Sequence, residues 1–518
     1  MPQAQRETEI KLEIPASAIA RLKRHLGHHR GLKEPPQAND LVSIYFDTKR
    51  QKLRRKGFSL RVRDIGGQRV QTIKLSGNGS AGLFDRAEWK QTIKEQSPDW
   101  KAAENTALAP LVNKKLRARA RPVFQTRVRR TSYHLRDRGG DLKLAFDEGS
   151  INAGDRSAPV AEIEIDVEDG KPSAAFAFAR ALGRIAPLTF AATSKAERGY
   201  DLIAGAPARA VKSAAVPLTA DMNVEQAFRA IGRECLRHVL ANRAGVDRGD
   251  PEGVHQMRVG VRRLRAAISL FSDTVSDGRL GHIKAELKWL TKALAPARDL
   301  DVFLAEMPRL PRRLAGAGGE GFHDELAGRQ ARAHERAEQA VSCDRFRTLA
   351  FDVAQWLEDG PWTRAQAASR RHERARPIEA FAVDELSRRR RKIKKRARKV
   401  KTLDPRQRHK LRIAAKKLRY GVEFFAGLFG GKRLTKRRKA FLAVLKDLQS
   451  TLGGLNDVAA REQLGAAVGA KPGATRAQPQ RAFAAGWVTA TEEARTKPLL
   501  KAATKAAGAL RKTKRPWA

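Results

Sequence analysis

The spacing of apolar residues changes once along this chain of 518 residues, near residue 204, and no single architecture accommodates both patterns. Before that point apolar and polar residues alternate as in half-buried strands: Thr8, Ile10, Leu12 and Ile14 share one face, and Glu7, Glu9, Lys11 and Glu13 the other. From Val224 onward the pattern is helical, rich in Ala, Leu, Arg and Lys, with Gly and Pro mostly at loops. The length also exceeds what one core usually serves. The expected class is therefore α+β followed by all-α. We place a β-rich domain at 1–203, a linker at 204–217 (AGAPARAVKSAAVP, which has no apolar period), a helical domain at 218–505 and a basic tail at 506–518. Loop-like patches at 308–321 and 469–480 divide the helical half.

Charge narrows the partners. Against 104 Lys and Arg stand 56 Asp and Glu, a formal net charge of +48. Such a surface repels itself and attracts dense polyanions: nucleic acid, anionic lipid or polyphosphate. Specific nucleic-acid binding is disfavoured by an aromatic content of 6%, with no stacking platform or base-reading motif. Cys235 and Cys343 make neither a disulfide framework nor a cysteine-rich zinc site. No apolar h-region follows Met1 and no run approaches a membrane span, so a cytoplasmic protein is expected.

In the β-rich half, AEIEIDVED sets Glu162, Glu164, Asp166 and Glu168 opposite Ile163, Ile165 and Val167, and FSLRVRD sets Arg61 and Arg63 opposite Leu60 and Val62. A sheet with one wet face explains alternation alone. The sorting suggests more, because some strands carry carboxylates and others cations. Carboxylates bind hard divalent ions, and Lys and Arg hold phosphate oxygens.

Here the sequence resembles the CYTH family of triphosphate tunnel metalloenzymes, over roughly 5–203. The motifs are Glu7-x-Glu9-x-Lys11, YFDT from Tyr45, SLRVR from Ser59, TIK ending at Lys74, Arg86 and Glu88 in DRAEW, FQTRVRR, FDEG with Asp147, EIEID, and SKAERGY from Ser194. The resemblance implies a closed eight-stranded antiparallel β-barrel with flanking helices, whose polar tunnel holds a triphosphate. It implies Glu7, Glu9, Asp147, Glu162 and Glu164 as ligands of Mg²⁺ or Mn²⁺, with Glu88 in support. Lys11, Arg61, Arg63, Lys74, Arg86, Lys195 and Arg198 become the phosphate cradle. In FQTRVRR, Arg127 and Arg129 share a face and the register stays open, so Arg129 and Arg130 are both candidates.

The helical half contains a repeat. VHQMRVGVRRLRAAISLF (254–271) and RHKLRIAAKKLRYGVEFF (408–425) match in pattern, and are followed by LAPARDLDV (294–302) and LGGLNDVAA (452–460), which place Asp299 and Asp457 equivalently. At about 100° per residue, His255, Arg258, Arg262 and Arg265 fall on one arc and Met257, Val261, Leu264 and Ile268 opposite. His409, Arg412, Lys416 and Arg419 repeat the arc. A cationic stripe is ordinarily a solvated face, but here it occurs twice, each time led by a histidine. Neither histidine has a second His or Cys at i+4, so hydrogen bonding to phosphate fits them better than metal ligation.

These elements, with ARDLDV and LGGLNDV, resemble the CHAD family of conserved-histidine α-helical domains over about 218–505. The resemblance implies two pseudo-symmetric four-helix bundles around a basic cavity for inorganic polyphosphate. The binding role falls on His255, Arg258, Arg262, Arg263, Arg265, His409, Arg412, Lys416, Lys417 and Arg419. The run RRRRKIKKRARKVK (388–401) is either a polyanion-gripping helix or a lookalike of a nuclear-localisation signal.

Three functions follow as expectations. The first is metal-dependent hydrolysis of inorganic triphosphate or polyphosphate ends, with the helical domain concentrating polymer and the protein near polyphosphate granules. The second is a non-catalytic polyphosphate-binding protein with a phosphate-sensing barrel. The third is nucleic-acid binding.

Overall fold

The computed structural model describes residues 5–75, 83–137, 139–205, 210–306, 317–469, 486, 490–491 and 493–517, with side chains outside 5–8, 83–86, 306, 317–322 and 459–469. Most of the patches at 308–321 and 469–480 thus lies outside the described residues. The chain forms two compact units. One comprises Met1–Ser213, Arg233–Gly245 and Val341–Pro361, and the other Ala214–Gly232, Val246–Ala340 and Trp362–Ala518.

The first unit is built on nine strands among the described residues: β1 (Gln5–Glu13), β2 (Gln37–Thr48), β3 (Phe58–Ile65), β4 (Gln68–Leu75), β5 (Leu83–Ile93), β6 (Ala120–Asp137), β7 (Gly140–Ala153), β8 (Arg156–Gly170) and β9 (Thr189–Phe190). Every pairing is antiparallel, in the order β5-β4-β3-β2-β6-β7-β8-β1-β9, and β1 pairs in addition with β5. The expected eight-stranded closed barrel is thereby corrected to a nine-stranded sheet. The extra strand, β9, is two residues long and pairs with Leu12 and Glu13 of β1. The β3–β4 turn needs two positive φ angles to match strand twist, and Gly66 (φ 57°) and Gly67 (φ 91°) supply them.

The predicted alternation is present. Leu60 and Val62 of β3 are buried with Phe46, Leu53, Ile73, Leu108 and Leu116, so three short helices (Lys52–Arg55, Trp100–Ala103, Lys114–Arg119) cover that face. A second cluster joins Tyr45, Phe124, Val128, Ile151 and Val160 to Tyr200 on the helix Lys195–Ala204. Two helical segments from beyond residue 213 belong to this unit. Arg180 pairs with Asp352, Phe190 packs on Phe351 at 4.5 Å between ring centroids, and Asn242 exchanges two 2.9 Å hydrogen bonds with Val211.

Helices make up the second unit among its described residues, apart from connecting loops and an isolated bridge between Asn223 and Pro377. Its two repeat helices, Pro251–Leu270 and Pro405–Phe424, start alike: Asp250 and Asp404 cap free backbone N–H groups, and proline follows where no N–H is needed. The helix Thr496–Lys512 extends into the stretch expected as a tail, because Ala503, Ala506, Ala507 and Leu510 form a buried stripe. Trp517 is also buried, donating to Ser387 Oγ at 2.9 Å. Among the described residues no helix is long and apolar enough to cross a membrane.

Candidate functional site

Strand register assembles the site. Lys11 of β1 stands opposite Glu164 of β8, Asp147 of β7 opposite Glu162, and Arg130 of β6 opposite Asp147. Residues two apart share a face, so Glu162 and Glu164 project together. Carboxylate oxygens of Asp147, Glu162 and Glu164 lie within 4.8 Å of one another, at 1%, 0% and 7% exposure. Buried like charges this close require cations. Three surround them. Lys195 Nζ lies 2.6 Å from Asp147, 3.3 Å from Glu164 and in contact with Glu162. Lys11 Nζ lies 2.5 Å from Glu164, 3.3 Å from Glu9 and 3.6 Å from Glu162. Arg130 donates to both oxygens of Asp147 and to Glu164.

Neighbouring strands carry the opposite balance. Glu88 of β5 is buried and faces cations that include Lys74 at 3.2 Å, Lys90 at 3.3 Å and Arg61 at 3.8 Å. Arg63 donates to Ser43 Oγ at 2.9 Å. A cavity of about 110 Å³ is lined by both groups, among them Glu9, Lys11, Glu164, Arg130 and Lys195 with Arg61, Arg63, Lys74 and Glu88. Tyr45 also lines it, stacked on Phe124 at 4.4 Å, and Phe124 meets Tyr200 edge-on. Gly199 is required there, since a Cβ would come within 2.2 Å of the Phe124 ring. A Ser194/Glu197 capping box starts the helix so that Lys195 is its first residue.

The fields are strong. Burial pushes Glu164 and Asp147 toward the neutral acid, but Arg130, Lys11 and Lys195 hold Glu164 well below the usual carboxylate range, and Lys195 and Arg130 hold Asp147 below it. The same pairings raise Lys11, Lys195 and Arg130 despite burial. Arg63 behaves oppositely. Burial, then Arg61 and Arg130, push it down to about 9, so an entering anion finds a cation whose charge is poorly compensated.

The donor set is all oxygen and charged, which suits a hard divalent ion. Glu162 Oε2 is buried and makes no hydrogen bond, leaving an acceptor for one. The cluster could thus hold a metal, with the lysine ammonium groups turned aside.

Most sequence candidates converge here. Arg130 faces the carboxylates, whereas Arg127 and Arg129 are exposed on the other side of β6. Arg198 touches the cluster from the edge, 3.9 Å from Glu162. The side chains of Glu7 and Arg86 lie outside the described residues. Sequence reasoning missed Tyr45, Ser59, Lys90 and Ser194 as cavity residues. Period-two alternation from Glu88 would have found Lys90.

In the helical unit, Lys416 feels Arg412 and Arg262, so cations of the two repeats gather. Burial first, then those arginines, push Lys416 down to about 7, and burial with Arg298 pushes His255 down. Arg258 lies 3.5 Å from Asp299, and His409 2.8 Å from Asn456. Arg412 lies against Gly453, where a Cβ would come within 3.1 Å of its guanidinium. Arg263 departs from expectation: it is 5% exposed, paired with Glu423 at 3.0 Å and packed over Phe424, a core contact between repeats. Its equivalent, Lys417, reaches Ser269 at 3.0 Å, the position matching Glu423. Arg265 donates to Thr291 at 3.3 Å, and Arg419 pairs with Glu423 at 3.2 Å.

An antiparallel sheet carrying interleaved carboxylates and cations, followed by a helical unit built on a repeated cationic helix, defines a two-domain class. The CYTH domain model matches residues 5–200 and the CHAD domain model residues 230–466. The chain therefore belongs to the proteins that carry a CYTH domain followed by a CHAD domain. It is 28% identical over 195 residues to the inorganic triphosphatase of Haemophilus influenzae, a match covering 38% of this chain and 54% of that protein, so the chain spans about half of the relative's length. The crystal structure of the CHAD domain from the plant Ricinus communis matches with a TM-score of 0.50 and 28% identity, covering 60% of this chain and 99% of that one.

Proposed function

We propose that the chain is a metal-dependent triphosphatase acting on inorganic triphosphate, or on polyphosphate ends, with a helical part that binds long polyphosphate. The observation that carries the reading is the single cavity in which Glu9 and Glu164, part of a carboxylate cluster, face Arg61, Arg63 and Lys74. The β1–β5 pairing supports a sheet returning on itself as a tunnel. The similarity to an inorganic triphosphatase agrees with this substrate class.

In this reading Asp147, Glu162 and Glu164, with Glu9 beside them, would hold Mg²⁺ or Mn²⁺. When bound, the metal supplies Lewis acidity toward phosphate oxygens and a more acidic water. Arg61, Arg63 and Lys74 bind and align the phosphate chain. Arg130 keeps the carboxylates ionised. Water adds to phosphorus as the bridging P–O bond breaks, and Lys195 with the arginines stabilises charge on the leaving diphosphate. The aromatic stack of Tyr45, Phe124 and Tyr200 keeps bulk water from one side of the cavity.

The test is phosphate release from triphosphate, long polyphosphate, thiamine triphosphate and ATP, with Mg²⁺, Mn²⁺ or EDTA, in the wild type and Asp147→Asn. Metal-dependent cleavage of triphosphate, lost in the variant, is expected. Metal-independent cleavage would sink the reading. One observation favours a second reading: Lys11, Lys195 and Arg130 already neutralise the carboxylates, as a gripping site without turnover would also require. Tight polyphosphate binding with no turnover would establish that alternative. In either case residues 1–203 and 218–505 are the working domains, and a cytoplasmic location near polyphosphate granules fits the ligand.

A further inference from the structure

A second chamber, of about 330 Å³, lies in the same unit and shares no lining residue with the first cavity. Glu162 stands between them. Its Oε1 lies with Lys195 and Lys11, which line the first cavity. Its Oε2, buried and without a hydrogen bond, is 3.9 Å from Arg198, which lines the second.

Two arginines, Arg198 and Arg243, reach the chamber together with the hydroxyl-bearing Thr193 and the carboxylates Glu13 and Asp201. Burial, with Glu162 beside it, pushes Glu13 up from the usual carboxylate value, and Arg198 and Arg243 oppose that rise. Asp201, whose Oδ1 accepts from Arg54 at 2.7 Å, has a side chain 43% exposed, so its edge of the chamber meets solvent. Paired guanidinium groups suit a tetrahedral oxyanion. Carboxylates in the same chamber repel a long polyanion, but they accept a hydrogen bond from an anion that brings its own proton. Orthophosphate keeps at least one P–OH near neutral pH, whereas sulfate carries no proton there.

We propose that this chamber binds a single orthophosphate ion. That the ion is the product leaving the first cavity rests on the hydrolytic reading above; its binding does not.

The test is calorimetric titration of orthophosphate, and separately of sulfate, into the full chain in EDTA, comparing wild type, Arg243→Gln, Ala241→Leu and Lys11→Ala. Ala241 lines the chamber, so the leucine fills it while both arginines remain. A binding component weakened about tenfold or more in both chamber variants, kept in Lys11→Ala, and about tenfold weaker for sulfate is expected, the loss matching a hydrogen bond to a charged group. Wild-type orthophosphate affinity in both chamber variants, with circular dichroism showing them folded, would overturn the proposal. So would loss of the component in Lys11→Ala alone, or equal affinity for sulfate. Triphosphate turnover with Mg²⁺ is scored separately, so its absence beside intact chamber binding would count against the hydrolytic reading only.

Discussion

Arg130 grips Asp147 through both carboxylate oxygens, Nε to Oδ1 and Nη2 to Oδ2, each at 2.7 Å, while the same Nη2 reaches Glu164 at 2.6 Å. A lysine cannot reproduce this fork. Arg130→Lys is expected to lower triphosphate turnover by roughly tenfold to a hundredfold, the equivalent of one or two charged hydrogen bonds. Arg129→Ala, one residue away and exposed, should stay within about twofold of wild type. Steady-state kinetics on the pair decides the register functionally, and equal losses would refute it.

Glu164 sits between Lys11 and Arg130, so removing it leaves two buried cations undercompensated. Glu164→Ala should cost about 3–5 kcal/mol of stability in urea unfolding, and Glu164→Gln less, because the amide oxygen still accepts. Metal-dependent turnover should vanish in both. A fully stable Glu164→Ala protein would contradict the ion-pair account.

Lys416 is pushed down to about 7 in the free protein, so it is largely charged below that pH and largely neutral above it. A bound polyanion favours the charged form. Polyphosphate binding should therefore weaken as pH rises from 6 to 8, with proton uptake at pH 8 seen calorimetrically as a dependence on buffer ionisation heat. Lys416→Gln should flatten the profile. An unchanged slope would rule Lys416 out as its source.

Arg262 and Arg263 are adjacent yet do different work. Arg263→Ala removes a buried bond to Glu423 and should cost about 1–3 kcal/mol of stability. Arg262→Ala should change stability by less than about 0.5 kcal/mol, while weakening polyphosphate binding and lowering its salt dependence by about one counterion. Thermal unfolding and binding at several salt concentrations separate the two. The reverse assignment would show that the helix faces are misread.

Alternation along single strands was enough to set Lys11, Arg61, Arg63, Glu162 and Glu164 on polar faces, because a period of two sorts side chains to faces without reference to neighbours, and the resemblance to the CYTH family nominated them for a site. The same logic, applied at 3.6 residues, found the two cationic helices. It failed where two cations stood side by side. Arg129 and Arg130, like Arg262 and Arg263, are separated only by register against β7 and by contact with the opposite repeat.

The amino-acid sequence by itself determined the two-part architecture and the chemical character of each face, since both follow from local periodicity and charge. Only the tertiary structure decided the strand count, the inward choice of Arg130, the retirement of Arg263 into the core and the position of Glu162 between two chambers. Those features depend on groups distant in the chain meeting at a few ångströms, and distances between strands and helices are not written in the order of residues along any one of them.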